Sequence, residues 1–478
     1  MSKNTLRVLS LCSLLILTII SSGFGQKIRF NVQRATTSED IEYKKQFKAY
    51  TIGTLNTKAT SDLLRSRENF DALEIDVEGK TFAFDLQTRD IRSENFRLTV
   101  KDENGTHDLP RPPNTTYAGY TDKTNYDVRI TADDNFFYAL IVQGNDEYYI
   151  EPAADIIHGA PADQFVMYWK SDVVNKMGNN ACGAKHAPTY TKANPDEDTS
   201  IPEVGRSRDQ CKMVEIALCD DKLMFIKYGT IAGVTNHNMA VINNVLTNYD
   251  TEFSTDLNFN IVQVYVVTGT DPWTNSTDPG LLLDGFTAWG PSNLVQHDES
   301  SLWTNRDFDG DVIGLAWIGG VCTNYKYNVL QDFTNNANFL RVLQAHEMGH
   351  NFNANHDAVN SGFIMAPSVT NTNTWSPTSI TVINAYIMSI SCLSTCSAPA
   401  APIADFIADN TVGCVPFLVH FFDQSLNNPT SWLWTLPGGT PSTSTMQNPN
   451  VTYSTPGVYT VTLKATNAQG MDTKIKVN

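Results

Sequence analysis

The stretch HEMGHNFNANHD, residues 346–357, decides how the middle of this 478-residue chain is read. His346 and His350 are four apart, and that spacing on an α-helix brings two side chains to one face. His356 comes six residues later. In an unbroken helix, at ~100° per residue, it would point away from His350. The chain must therefore leave the helix after Phe352 and turn back if the three imidazoles are to meet. Asn353 stands at that break. After glycine, asparagine is the residue most tolerant of left-handed backbone, so the stretch predicts φ > 0 at Asn353 and three converging rings. Three neutral imidazoles form the donor set of a zinc ion that keeps a fourth position open. Glu347, next to the first ligand, can exchange protons with a water at that position. His346, His350 and His356 are thus the candidate metal ligands, and Glu347 the candidate catalytic base.

The surrounding sequence predicts a mixed domain. NNANFLRVLQAHEMGHNF reads as an amphipathic helix with Phe339, Val342, Leu343 and Phe352 on or near its buried side. KMVEIALC, NFNIVQVYVVTG and VIGLAWIGG read as strands, and GTIAGVTNHNMAVINNVLTNYDTEF as a helix. SPTSITVINAYIMSIS is a further helix, with Ser376 as N-cap and Pro377 in the first turn. Strands alternating with long helices indicate an α/β or α+β domain.

The histidine stretch resembles the zinc motif of the metzincin proteases, HExxHxxGxxH, and Asp357 after the third histidine is typical of their adamalysin/reprolysin (ADAM-like) branch. Asn353 departs from the family glycine but suits the same turn. KMVEIALCDDKLMFIKYG resembles that branch's first strand and following helix. GLAWIGGVC resembles its substrate-side edge strand, and SGFIMAP its Met-turn, with Met365 beneath the metal. The resemblance covers about residues 209–396. It implies a zinc endopeptidase in which Gly314, Leu315, Ala316 and Trp317 pair with the substrate backbone as an added antiparallel strand. It implies that APSVTNTNTW walls the pocket beyond the cut, and that Cys211 and Cys322 are joined as in one ADAM branch.

Residues 1–25 read as a secretory signal: Lys3 and Arg7, the apolar run VLSLCSLLILTII, then small residues. The run is short for a membrane span, which predicts an exported, extracellular protein without a stable membrane anchor. Residues 26–208 read as a β-rich propeptide. FDALEIDVEG, KTFAFDLQ and FRLTVKD alternate apolar and polar residues, and HAPTYTKANPDEDTSIPEVGRSRD is a polar linker. Within it, GRSR offers a basic maturation cleavage site at Arg206 or Arg208. Upstream, NNACGAKHA carries Cys182, which the resemblance makes the zymogen switch ligand, its thiolate occupying the open zinc position. The cysteines outside the signal number seven, so one lacks an intramolecular partner. Cys211 and Cys219 cannot pair within one strand, being ~26 Å apart at ~3.3 Å per residue.

After the Ala/Pro linker SAPAAPIAD, residues 402–478 hold short strands only. FFDQS, SWLWTLPGG and NPNVTYSTPGVYTVTLKATNAQG resemble a PKD-type, Ig-like sandwich. Trp432 and Trp434 alternate on one strand, so one or both read as core and not as ligand-binding. The resemblance implies a spacer or a module that binds carbohydrate or protein. The fold class expected is therefore multidomain: a β-rich propeptide, an α/β metzincin catalytic domain at 209–396 and an all-β sandwich.

Net charge is −17, and residues 209–396 carry 18 acidic against 6 basic side chains. That balance argues against nucleic acid or an anionic membrane as the main partner; a protein or peptide substrate is what the resemblance implies. Acidic loops such as RDFDGD offer calcium as a second ion beside zinc, against the alternative of a solvated surface. Two functions are carried forward: a secreted zinc endopeptidase made as a latent zymogen, and a non-catalytic adhesion or matrix-binding protein with structural zinc. An intact Glu347 distinguishes the first.

Overall fold

The computed structural model describes residues 26–477 apart from 68, 121–126, 145, 158, 175–180, 187–210, 251, 254–256, 397–400, 426–428 and 468–469. The expected signal, Arg206 and Arg208 lie outside the described residues.

The N-terminal region is built on a ten-stranded sheet with Asn69–Val77, Lys80–Thr88, Val128–Asp133, Phe136–Gln143 and Asp146–Pro152 among its members. Period-two alternation puts Phe82, Phe84 and Leu86 on one face, where they are buried. Phe30, Phe137 and Phe165 meet edge to face within that core. Two short helices, Thr37–Gln46 and Thr57–Arg65, were not expected from the alternation. Each is started by a side-chain cap, Thr36 with Glu39 in a capping box and Asn56 on Ala59 N.

A second sheet forms the centre of the molecule. Its order is Ala181–His186, Val312–Ile318, Tyr327–Gln331, Glu299–Thr304, Lys212–Asp220, Leu257–Val267, Arg92–Asp102 and Gly105–Leu109. The Lys212 strand lies parallel to both its neighbours, whereas Val312–Ile318 runs antiparallel to Tyr327–Gln331. Helices cover both faces. Ile231–Tyr249 and Ala337–Asn351 bury Val245, Leu246, Leu343 and Met348 with Leu218 of the sheet. Pro279–Trp289 buries Leu282, Leu283 and Phe286 against Cys219, Leu302 and Val329 on the other side. Strands buried on both faces read as near-continuous apolar runs, as VQVYVV does with Gln263 its one polar residue.

Two N-terminal segments belong to this central sheet. The hairpin Arg92–Leu109 lengthens it in parallel register, Leu98 opposite Val264 and Val100 opposite Val266. Residues 181–186 take the opposite edge. Phe96, Leu98, Tyr149 and Tyr168 share one apolar core with Val214, Val264 and Phe352. The division expected at 208/209 therefore crosses a common core.

The cysteine pairing differs from expectation: Cys211 and Cys322 are not joined. Cys211 bonds Cys396 and Cys322 bonds Cys392. The two-residue strand Ser394–Thr395 returns antiparallel to Lys212–Met213 and carries Cys396 beside Cys211. Cys322, at φ 66° in the turn after Val312–Ile318, meets the chain leaving helix Pro377–Ser389. Cys182, Cys219 and Cys414 are free.

The C-terminal module is a sandwich of two four-stranded sheets. Trp432 and Trp434 are both buried in it, their indole N–H groups donating to Asp423 and to Met446 O. Among the described residues no helix is long and apolar enough to cross a membrane.

Candidate metal centre

The helix Ala337–Asn351 carries the first two histidines. Asn336 caps it, its side chain accepting from Asn338 N and Phe339 N. Residues 338–351 are all buried, so its polar groups need partners inside the protein. The N-terminal region supplies several. Arg341 pairs with Glu147 at 3.1 Å, Tyr149 donates to Asn338, and Ala337 N donates to Glu151. Burial raises the Glu147 carboxyl, but Arg341 and Lys170 outweigh it and hold it below its usual range.

The helix ends as the spacing predicts. Asn353 has φ 76°. Its N–H donates to His350 O at 2.8 Å, and Ala354 N donates to Gly349 O at 3.0 Å. These are the paired bonds of a Schellman cap. The turn carries His356 back to the helix. All three ring nitrogens fall in one group whose donor atoms lie within 4.8 Å of one another.

The orientation of the rings is fixed from behind. His346 Nδ1 lies 2.7 Å from Ile364 O, and His350 Nδ1 lies 2.7 Å from Ala354 O. A carbonyl only accepts, so each Nδ1 carries the hydrogen and each Nε2 presents a lone pair. His346 Nε2 is buried without a partner. His350 Nε2 and His356 Nε2 face each other at 3.1 Å. Two lone pairs that close repel unless a cation stands between them, and tetrahedral zinc at ~2.1 Å from each nitrogen sets them about 3.4 Å apart. Burial, with the neighbouring His356, lowers the His346 pKa to about 3. It also pushes His350 well below its ordinary value. Neutral imidazole is the ligating form, so the residues present fit zinc.

Glu347 turns to the other side of the group. It is fully buried and neither carboxylate oxygen has a hydrogen-bond partner. Burial pushes its pKa well above the usual carboxylate range. Gly314 makes room for it: a Cβ there would stand 2.2 Å from Glu347 Oε1. Beneath the site, Met365 is fully buried, and a Cβ on Gly349 would stand 2.6 Å from its Sδ. Asp357 accepts from the N-cap Ser376 at 2.6 Å and so ties the third histidine's turn to the next helix.

Cys182 approaches this group at His346. Its thiol lies with His346 and Glu347 in one cluster within 4.8 Å. Residues 182–186 run beside Gly314–Ile318 in parallel, Cys182 opposite Gly314 and Ala184 opposite Ala316. Cys182 N also donates to Pro367 O at 2.8 Å. The acidic loop offered for calcium shows no converging donors among the described residues. Asp307 accepts from Gln331 and Asp309 from Thr277.

Asn351 escaped the sequence reading. It is fully buried, and its side chain links the histidine helix to two strands. The available signal was a small polar residue between the ligand His350 and the apolar Phe352.

Residues 231–398 match the family model of the reprolysin-like M12B metallopeptidases, and residues 398–478 match that of the PKD domain. The chain is similar to a zinc metalloproteinase-disintegrin-like protein of Cerberus rynchops, 26% identical over 304 residues. That match covers 59% of this chain and 47% of the relative. It is also similar to human disintegrin and metalloproteinase domain-containing protein 19, 30% identical over 250 residues, with 48% and 25% covered. The chain thus spans about half the length, or less, of these relatives.

Proposed function

We propose that this chain, which carries a reprolysin-like M12B metallopeptidase domain followed by a PKD domain, is a secreted zinc-dependent endopeptidase made as a latent precursor. One observation carries the reading. Three ring nitrogens converge, those of His346 and His350 with their Nδ1 hydrogens tied to carbonyls, beside the buried Glu347 carboxyl that the Cys182 thiol faces.

His346, His350 and His356 would hold the zinc. When bound, it polarises the scissile carbonyl and lowers the pKa of the attacking water. Glu347 accepts the proton of that water on a carboxylate oxygen and delivers it to the leaving amine. Gly314–Trp317 align the peptide by pairing with its backbone in the antiparallel sense.

In the precursor, residues 26–208 act as propeptide to a catalytic unit at 209–396. Cys182 is the switch ligand, and the residues after it cover Gly314–Ile318. They run parallel to that edge, opposite to the direction assigned to substrate, so they lie along the cleft without entering it as a peptide to be cut. Cleavage after Arg206 or Arg208 begins maturation. The PKD module at 402–478 is a spacer or a binding accessory.

The test is hydrolysis of casein and of a fluorogenic peptide by processed protein. Hydrolysis blocked by a zinc-chelating hydroxamate, and abolished in a Glu347→Ala variant that keeps one zinc, is the outcome expected. Activity that survives either change would sink the reading.

A further inference from the structure

We propose that Asn351 is a positioning residue for substrate: it sets the edge strand Val312–Ile318 against the histidine helix without touching peptide or metal. The inference rests on the endopeptidase reading above.

Asn351 closes the helix, directly after His350. Its Nδ2 donates to Trp317 O at 2.9 Å and to Tyr327 O at 3.2 Å, and its Oδ1 accepts from Asn328 Nδ2 at 2.7 Å. The strands it bridges are paired Gly314 to Leu330, Leu315 to Val329 and Ala316 to Asn328, and there the pairing stops. Trp317 and Tyr327 would form the next pair. The Asn351 amide stands in their place and serves both carbonyls, so the last rung of this ladder comes from the helix. Backbone bonds reinforce the link: Gly319 N donates to His350 O at 2.9 Å, and Val321 N to Asn351 O at 3.1 Å. From helix Pro377–Ser389, Tyr386 OH reaches Gly319 O at 2.8 Å and Val321 O at 3.0 Å.

The outer edge of Val312–Ile318 is the one that residues 181–186 occupy. A peptide aligned there is registered by the strand, whereas the reacting groups Glu347 and the histidines are registered by the helix. The distance between scissile bond and carboxylate therefore depends on how rigidly strand and helix are joined, and misplacement by about 1 Å costs on the order of 100-fold in rate. Asn351 makes that join beside a ligand residue. Both its N–H groups are used, so replacing it leaves two buried carbonyls without a donor and the Asn328 amide with Glu299 alone. Asn351→Asp keeps the shape and removes both donors.

The test compares processed wild type with Asn351→Asp, Asn351→Ala and Tyr386→Phe on two fluorogenic peptides. One spans the whole edge strand, and the other is cut back to the residues flanking the scissile bond. Zinc content is measured in parallel. The expected result is a loss of kcat/KM on the long peptide at least about tenfold greater than on the short one. The loss is carried by kcat, zinc stays at one per chain, and Tyr386→Phe shows the same trend more weakly. Equal losses on both peptides, or zinc lost with activity, would make Asn351 merely structural and overturn the proposal. If the Asn351 variants do not fold, Tyr386→Phe decides alone, an unchanged length dependence counting against it. A wild-type enzyme that cuts neither peptide would overturn the endopeptidase reading itself.

Discussion

Replacing Gly314 by alanine adds one methyl group where the edge strand lies against the Glu347 carboxyl. The new Cβ would lie 2.2 Å from Glu347 Oε1, 2.7 Å from its Cδ and 2.8 Å from Leu343 Cδ1. Ordinary carbon contacts begin near ~3.5 Å, so the carboxyl must retreat by roughly 1 Å. Leu343 is fully buried and cannot yield freely. A displacement of that size in a reacting group lowers rate by about 100-fold. The histidines take no part in the clash, because their orientation is set by Ile364 O and Ala354 O. Gly314→Ala should therefore cut kcat by about 100-fold and leave zinc content nearly unchanged, with stability lowered by roughly 1–3 kcal/mol from the crowding. The assay is steady-state cleavage of a fluorogenic peptide by processed protein, with metal analysis on the same sample. Activity within threefold of wild type, or a parallel loss of zinc, would refute the reasoning.

Cys182→Ala in the unprocessed chain should speed cleavage of a short peptide but not of casein, because residues 183–186 still pair with the edge strand; equal latency toward both would remove the thiol from the account. Asn353→Gly should be tolerated, whereas Asn353→Val places a β-branched residue at φ 76°, a strain of ~1–3 kcal/mol. Competition with a chelator should show the valine variant's zinc affinity reduced about tenfold or more, and unaltered affinity would contradict the turn argument. Arg341→Met leaves the buried Glu147 carboxylate with Lys170 in place of two cations and should destabilise the precursor by up to roughly 3 kcal/mol. With Glu147→Met, which also releases Lys170, the double variant should lose less than the sum of the two single losses in denaturant titration; an additive loss would mean that the two residues do not act as a pair.

What was legible in the sequence is what local geometry dictates. The spacing of His346 and His350 needs only helical periodicity, and the left-handed Asn353 needs only that the chain turn back within six residues. Ser376 and Pro377 start their helix by the same local chemistry. Long-range pairing was not legible. Alternation marks FRLTVKD as a strand, but nothing in it says that Leu98 lies opposite Val264 in the central sheet. Cys211 and Cys322 both sit near strand ends, yet their partners are set by where residues 392–396 return after the last helix of the domain. Glu147 and Arg341 are distant in sequence and carry no shared pattern, so a buried ion pair joining them shows only in the folded chain.

The most direct test of the central claim is X-ray absorption at the zinc edge, on the intact precursor and again after processing. Three imidazole nitrogens at about 2.0–2.1 Å and one sulfur at about 2.3 Å are expected in the precursor. Processing should replace the sulfur with an oxygen scatterer while the nitrogens remain, and Cys182→Ala should do the same without processing. A precursor that binds no zinc, or a zinc shell with fewer than three nitrogens, would contradict the assignment of His346, His350 and His356. A shell without sulfur would leave those ligands standing and contradict the role of Cys182.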